Sequence, residues 1–424
     1  MYGQNSLRTS LISTWKDSTD LTIGYNDVWG YVAPSGEEYA IIGTRTKVNF
    51  VNVTDPANPF GVLSYTGGSN IVWRDMKTFR HYAYSVCDAC SEGLQIFDLS
   101  GLPNSVTHVN QITQHFTRAH NIFIEGSRLY VVGLSGIDLM IFDLSADPVN
   151  PTLLASIDLD LILGTGTNLL YIHDIFVQRN IAYASHGNRG MYIWDVSDPQ
   201  NVTLIAENEF DGTYNHSSWA SENGDYLYVA EEVPTGLPMR IVDIRDKDNG
   251  EIRDAGSFID NLATGNSGNV THHNPFVKDD LLYISSYEDG LKVYDIRTPE
   301  SPELYAYYDT HQDDNVAGVY SGYRGAWGVY PFLPSGNILV SDRVNGLIIL
   351  DVDNFDCDGT ARILGTISHD ENVKYSCCII SGITSSISGN VDSKYTAEDY
   401  IQLSENFEVK QGSRVLFDIE ACGN

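Results

Sequence analysis

The sequence predicts an all-β fold: a seven-bladed β-propeller of four-stranded antiparallel blades, followed by a small C-terminal β module. Three observations predict it. An apolar strand ending in Asp recurs at Leu94–Ser100, Leu139–Ser145, Met191–Ser197, Arg240–Ile244, Leu291–Ile296 and Leu347–Val352, and Val48–Asp55 is an earlier copy with Asn52 in place of the Asp. The copies follow one another at about 45–55 residues, a period typical of blades or solenoid repeats. Strand and turn formers are abundant, with 26 Tyr and 37 Gly in 424 residues, and no long stretch shows the 3.6-residue period of an amphipathic helix.

Residues 1–27 form a polar N-terminal segment whose apolar run Leu11–Trp15 can close the last blade; Arg362–Ile367 is the competing candidate. Residues 28–370 hold the seven units, near 28–68, 70–113, 118–158, 171–210, 214–260, 270–310 and 325–367. In the third unit the strands read as Asn121–Ile124, Leu129–Val132, Leu139–Leu144 and Thr152–Ile157, and four short antiparallel strands make a blade. Alternation along them is weak, as expected where neighbouring blades cover both faces. The Asp ending each third strand is expected to accept N–H bonds from the turn after it, which Asp-Pro or Asn-Pro then reverses. None of these Asp residues reads as catalytic. Residues 371–424 read as a disulfide-stapled β module with strands at Tyr400–Leu403, Phe407–Val409 and Val415–Ile419, too short for a good core of its own.

The formal charge is −31 and the pI near 4.4. Such a field repels nucleic acid, and no Lys/Arg run offsets it. No apolar run reaches membrane-spanning length. The start Met1-Tyr2-Gly3-Gln4 reads as a mature or trimmed end. The six cysteines, Cys87, Cys90, Cys357, Cys377, Cys378 and Cys422, are an even set that fits disulfides in an exported protein. Cys87 and Cys90 read as a local bridge, with a redox or zinc half-site as the alternative; the other four are expected to pair among themselves, Cys378 with Cys422.

Aligning the units on their first strands gives a second column: Trp29, Arg74, His120, His173, His216, His273 and Trp327. First strands line a propeller's channel, so these residues are expected to ring one of its ends. Neutral imidazoles suit a divalent metal such as Zn, Mn or Ca held with carboxylate help, and Arg74 suits an anion. Asp75 is a candidate carboxylate ligand, with Asn121, Asp174 and Asn274 as orienting neighbours and His186, Glu231, Glu232 and Glu288 near the same mouth. The same ring can equally be a hydrogen-bonded plug, and both readings stand at this level.

The entry segments Trp73-Arg74-Asp75-Met76-Lys77, Arg118-Ala119-His120-Asn121, Tyr171-Ile172-His173-Asp174, Tyr214–Trp219, His273-Asn274 and Gly325–Gly336 resemble those of the LVIVD-repeat, or choice-of-anchor B, family of bacterial secreted and surface proteins. The resemblance spans about residues 11–355. It implies an exported propeller and carries no established activity. The tail 399–413 resembles a short β module that precedes sorting signals in secreted Bacteroidetes proteins. Against that background the Asn-x-Ser/Thr sites at Asn52, Asn201, Asn215 and Asn269 carry no glycan expectation. The expectation is a secreted or cell-surface binding scaffold rather than an enzyme, with extracellular or outer-membrane proteins or glycans as partners. A metal- or anion-binding channel site is the alternative.

Overall fold

The repeat builds seven antiparallel sheets, each of four strands apart from a fifth added to the sixth. The computed structural model describes residues 6–19, 24–68, 73–164, 171–208, 212–262, 268–311, 320 and 322–352, and beyond 352 the backbone of short strands. The innermost strands are Val28–Val32, Arg74–Phe79, Asn121–Glu125, Asp174–Gln178, Tyr214–Ala220, Asn274–Lys278 and Ala326–Tyr330. Each touches the next and the last touches the first, so they close a circle around a central channel. Among the described residues only one α-helical turn interrupts the strands, Leu159–Leu163, capped by the Asp158 side chain and ended by Gly164.

The repeat's chemistry explains its spacing. Asn52, Asp98, Asp143, Asp195, Asp243 and Asp295 each accept a hydrogen bond from the N–H two residues on, at 2.8–3.1 Å. A matching column of buried tyrosines, Tyr39, Tyr84, Tyr130, Tyr183, Tyr228 and Tyr283, runs along the second strands. Tyr84 donates to the Pro148 carbonyl at 2.9 Å and Tyr228 to that of Pro299 at 3.4 Å, each in the turn of the next blade. The polar end of a buried ring needs such an acceptor. Tyr84 thereby fastens the second blade to the third, and Tyr228 the fifth to the sixth.

The N-terminus settles the closure. Thr9–Trp15 pairs antiparallel with Gly346–Val352, from Thr9 opposite Val352 to Trp15 opposite Leu347. Just before it, Ser6 and Leu7 pair with Tyr308 and Tyr307 on the sixth blade. Arg362–Ile367 does not close the propeller, because Thr360–Ile363 pairs in parallel with Cys378–Ser381 in a separate unit. Gly346 makes room for the closing strand: its φ is +85°, and a Cβ there would lie 2.5 Å from the Trp15 carbonyl oxygen. Ile12 and Trp15 pack on a cluster with Tyr25, Val28, Leu339 and Ile349.

The second compact unit begins at Asp353. It holds three parallel three-stranded ladders, in which Cys378 pairs with Tyr400 and Asp392 with Arg414, a step of 22 residues. Cys357, Cys377 and Cys422 lie outside the described residues, and of Cys378 only the strand backbone is described. Cys87 and Cys90 form the expected local disulfide, with Cα atoms 5.9 Å apart.

Removing residues 1–15 leaves the seventh blade with three strands and an open edge. The truncated chain is expected to lose several degrees of thermal midpoint or its cooperative transition, whereas removing 353–424 leaves the propeller transition in place. Thermal unfolding followed by circular dichroism compares the two, and equal effects would contradict this closure.

Candidate functional site

Inner-strand register sorts the channel residues into three levels. Arg74, His120, His173, His216, His273 and Trp327 share the first. The residues that follow them in sequence, with Asp27 from the first blade, make a polar second level: Asp27, Asp75, Asn121, Asp174, Ser217 and Asn274. Two residues deeper comes an aromatic level of Trp29, Phe123, Phe176, Trp219, Phe276 and Tyr330, with Lys77 among them. Trp219 stacks 4.3 Å from Phe176 and 4.7 Å from Phe276, and Trp29 lies 4.9 Å from Tyr330. These rings plug the channel. A cavity of about 30 Å³ lies on each side of the polar level, room for one or two waters and not for an organic molecule.

The structure thus brings six members of the expected ring together and leaves Trp29 out. Trp29 lies three residues too deep, its indole N–H bonded to Thr78 Oγ1 at 3.2 Å and its face under Lys77 Nζ at 4.5 Å. Counting back from Asp27, the residue in the histidine register of the first blade is Asn26, which is buried and donates to the Thr44 carbonyl.

The four imidazoles form an arc, with ring centroids 4.1 Å apart for His120–His173, 4.3 Å for His173–His216 and 4.3 Å for His216–His273. Three of the rings are held by the next blade. His173 Nδ1 meets the His216 carbonyl at 3.0 Å, His216 Nδ1 the His273 carbonyl at 3.1 Å, and His273 Nδ1 the Trp327 carbonyl at 2.6 Å. A carbonyl only accepts, so Nδ1 carries the proton and Nε2 is left as a bare lone pair. Burial, then the neighbouring imidazoles, holds His173 and His216 well below the usual histidine range, and burial brings His273 to about 3. These three rings are neutral at physiological pH. His120 differs: its Nδ1 lies 3.0 Å from Asp88 Oδ2, on the loop braced by the Cys87–Cys90 disulfide.

Arg74 stays a cation at neutral pH, but its guanidinium is turned to backbone carbonyls. Its Nε donates to the Thr44 carbonyl at 2.9 Å, its guanidinium reaches the Arg45 carbonyl at 3.5 Å, and burial lowers it to about 10. The second level is acidic. Asp75 is fully engaged, accepting from Met76 N at 2.7 Å, Lys77 Nζ at 2.5 Å and Ile122 N at 2.8 Å. Asp27 lies 3.8 Å from the same ammonium. Burial, then Asp75, raises Asp27 well above the carboxylate range and Asp174 to about 7. Burial opposes the charge on Lys77, but Asp75 and Asp27 outweigh it and hold the ammonium above its usual value. One cation serves three carboxyl groups, and burial shifts two of them toward the protonated form.

Of the residues expected near the mouth, Glu232 arrives there, with Oε2 3.8 Å from His216 Nε2. Glu231 instead pairs with Arg240, and His186 packs on Tyr192 with its ring centroid 4.6 Å away. Sequence reasoning missed Tyr287, whose hydroxyl donates to Glu232 Oε1 at 2.8 Å, and Asp88. It also missed a rim of exposed rings: Trp73, Tyr171 and Tyr323 are 37–40% exposed around the arc, Tyr171 at 6.5 Å from His173 and Tyr323 at 5.3 Å from Tyr287. The signal was available, since Trp73 and Tyr171 stand one and two places before Arg74 and His173.

These shifts set a pH dependence. Buried His173, His186, His216, His272 and His273 are all lowered. Below pH ~6.5 the unfolded chain takes up protons that the folded chain refuses, so stability falls as pH falls, by up to ~1.4 kcal/mol per pH unit for each histidine. Raised Asp27 and Asp174 act with the opposite sign: the folded chain keeps their protons, and stability is lost as pH rises from ~4 through the folded value. Asp174→Asn is therefore expected to stabilise the protein at pH 8, on the order of 1–3 kcal/mol, and to change little at pH 4.5. Urea midpoints at the two pH values check this, and a loss of stability at pH 8 would contradict a raised Asp174.

Residues 171–207 match the model of the LVIVD repeat. No curated protein matches the chain. Among solved structures, the Cps50 (Swd1) β-propeller domain of Myceliophteria thermophila is similar over 81% of this chain and 98% of its own, at 11% identity and TM-score 0.54. The extracellular domain of a putative hybrid two component system from B. thetaiotaomicron is similar over 80% of this chain and 39% of its own, at 14% identity and TM-score 0.53. At these identities the likeness is one of fold. The seven closed sheets make the chain a seven-bladed β-propeller, and residues 171–207 within it match the LVIVD repeat.

Proposed function

We propose that this protein is an exported binding scaffold whose recognition face is the histidine mouth of the channel. The observation that carries the reading is the mouth itself: fixed neutral imidazoles at its floor and exposed Trp73, Tyr171 and Tyr323 at its rim. Large flat rings on a rigid frame offer contact area at low entropic cost and are favoured anchors in interfaces. The floor cavity admits only water-sized bodies, so a macromolecular partner engages the rim. Extracellular or outer-membrane proteins, or glycans, are the partner classes. The Cys87–Cys90 disulfide supports an oxidising location, and no helix among the described residues is long and apolar enough to cross a membrane. The choice-of-anchor B resemblance supports display at the cell surface.

The test is binding by surface plasmon resonance to immobilised outer-membrane vesicles and to a polysaccharide panel. The native chain is expected to bind at least one surface. The Trp73→Ala/Tyr171→Ala/Tyr323→Ala variant is expected to bind it at least tenfold more weakly while keeping its thermal midpoint. Binding that ignores the triple substitution, or no binding to any surface, would overturn the mouth as the recognition face.

A further inference from the structure

We infer that His216, His273 and Glu232 form a three-ligand site for a divalent transition metal of the zinc class, with a coordination position open to the channel mouth. The inference deepens the reading of the mouth as the binding face. The two imidazole nitrogens and a carboxylate oxygen lie within 4.8 Å of one another, and the shortest given separation, His216 Nε2 to Glu232 Oε2, is 3.8 Å. Zinc takes nitrogen at about 2.0–2.1 Å and carboxylate oxygen at about 2.0–2.2 Å, which puts tetrahedral ligand atoms roughly 3.4 Å apart. Closing the His216–Glu232 gap takes a few tenths of an ångström, and the other pairs, within 4.8 Å, close by at most about 1.4 Å through side-chain rotation.

The stronger argument is what lies behind each ligand. A metal-binding imidazole commonly donates its other N–H to an oxygen, which fixes tautomer and ring plane. His216 Nδ1 does so to the His273 carbonyl, and His273 Nδ1 to the Trp327 carbonyl. The carboxylate has its own support, because Tyr287 donates to Glu232 Oε1 and leaves Oε2 toward His216. Three ligands from three inner or second strands therefore each have an orienting bond on the side away from the others. Two neutral rings and one carboxylate carry a net negative charge before metal arrives, in a protein of formal charge −31.

The donor set selects the metal. Two nitrogens and one oxygen suit zinc, and also cobalt, nickel or copper; calcium wants six to eight oxygens and finds one here. Three protein ligands leave a fourth tetrahedral position, as in sites that keep a water or take a ligand group. His173 is the next ring along the arc, 4.3 Å from His216.

The test uses the full chain after dialysis against a chelator. Cobalt(II) is added as a visible-absorption probe and zinc in competition, with calcium as control. The expected result is one tight equivalent of cobalt displaced by zinc and unaffected by calcium. Glu232→Gln, near-isosteric and at the mouth, is expected to weaken cobalt binding at least tenfold, and His216→Ala to abolish it. Tyr287→Phe is expected to give an intermediate loss, and His186→Ala none. The aromatic-rim triple variant should keep full metal binding, which separates failure of this site from failure of the rim. No cobalt bound, or binding indifferent to Glu232→Gln in a folded protein, overturns the inference.

Discussion

The ladder between Thr9–Trp15 and Gly346–Val352 is the constraint on which the rest of the molecule depends. A propeller blade has no stable edge of its own, and seven blades in an open row would leave the first and last uncovered. Once the chain's start is bonded to its last blade, the seven inner strands must share one axis. Side chains of equal register then meet their counterparts at one depth. The histidine arc, the polar level and the aromatic plug are products of that closure, since no single blade contributes more than one residue to each. The tyrosine-to-turn bonds of Tyr84 and Tyr228 secure the same circle farther out.

The order of the levels has an electrostatic reason. Three carboxyl groups lie between imidazoles on one side and aromatic rings on the other, with Lys77 rising from the aromatic level to reach them. A full set of buried negative charges would be costly, and a single ammonium balances one. Asp75 accepts two backbone N–H bonds and the lysine. Asp27 and Asp174 are both shifted toward the protonated form, which lowers that cost. The Lys77 ammonium also sits over the Trp29 face, which gives it a second favourable surface inside the plug.

Much of this was legible in the sequence. The period, the Asp-ended strand and the turn after it have side-chain signatures, so the blades, their boundaries and the Asx bonds could be read from residue types alone. The four histidines could be read for the same reason. Trp29 was placed at the wrong depth because tryptophan was matched to tryptophan; the matching feature of the first blade is Asp27, in the column of Asp75 and Asp174, and it puts Asn26 with the histidines. The partners that orient His173, His216 and His273 are backbone carbonyls, which every residue has and no sequence marks. Asn121, Asp174 and Asn274, expected to hold the rings, belong to the level below. The choice between Leu11–Trp15 and Arg362–Ile367 rested on two similar apolar runs, and only long-range pairing separates them. The 22-residue parallel stacking after Asp353 stayed hidden because its strands are short and its register is set by the neighbouring coil rather than by a turn.

The carbonyl partners also decide what kind of site the mouth can be. His120 is held by the Asp88 carboxylate. A histidine held by a carbonyl donates through Nδ1 to an acceptor that takes no proton, so the ring stays in one tautomer with its Nε2 lone pair fixed. Three consecutive rings of the second kind form a row of donors whose direction is set by blade packing and not by pH over the physiological range. Such a row suits a bound ion better than a proton relay, because a relay needs rings that change tautomer in turn. The arc thus divides into a fixed, carbonyl-held part, His173 to His273, and one ring at its end held by a carboxylate. Glu232 joins the fixed part, anchored by Tyr287 from the following blade. The donors are aimed by bonds that cross from blade to blade, so blade packing sets the site.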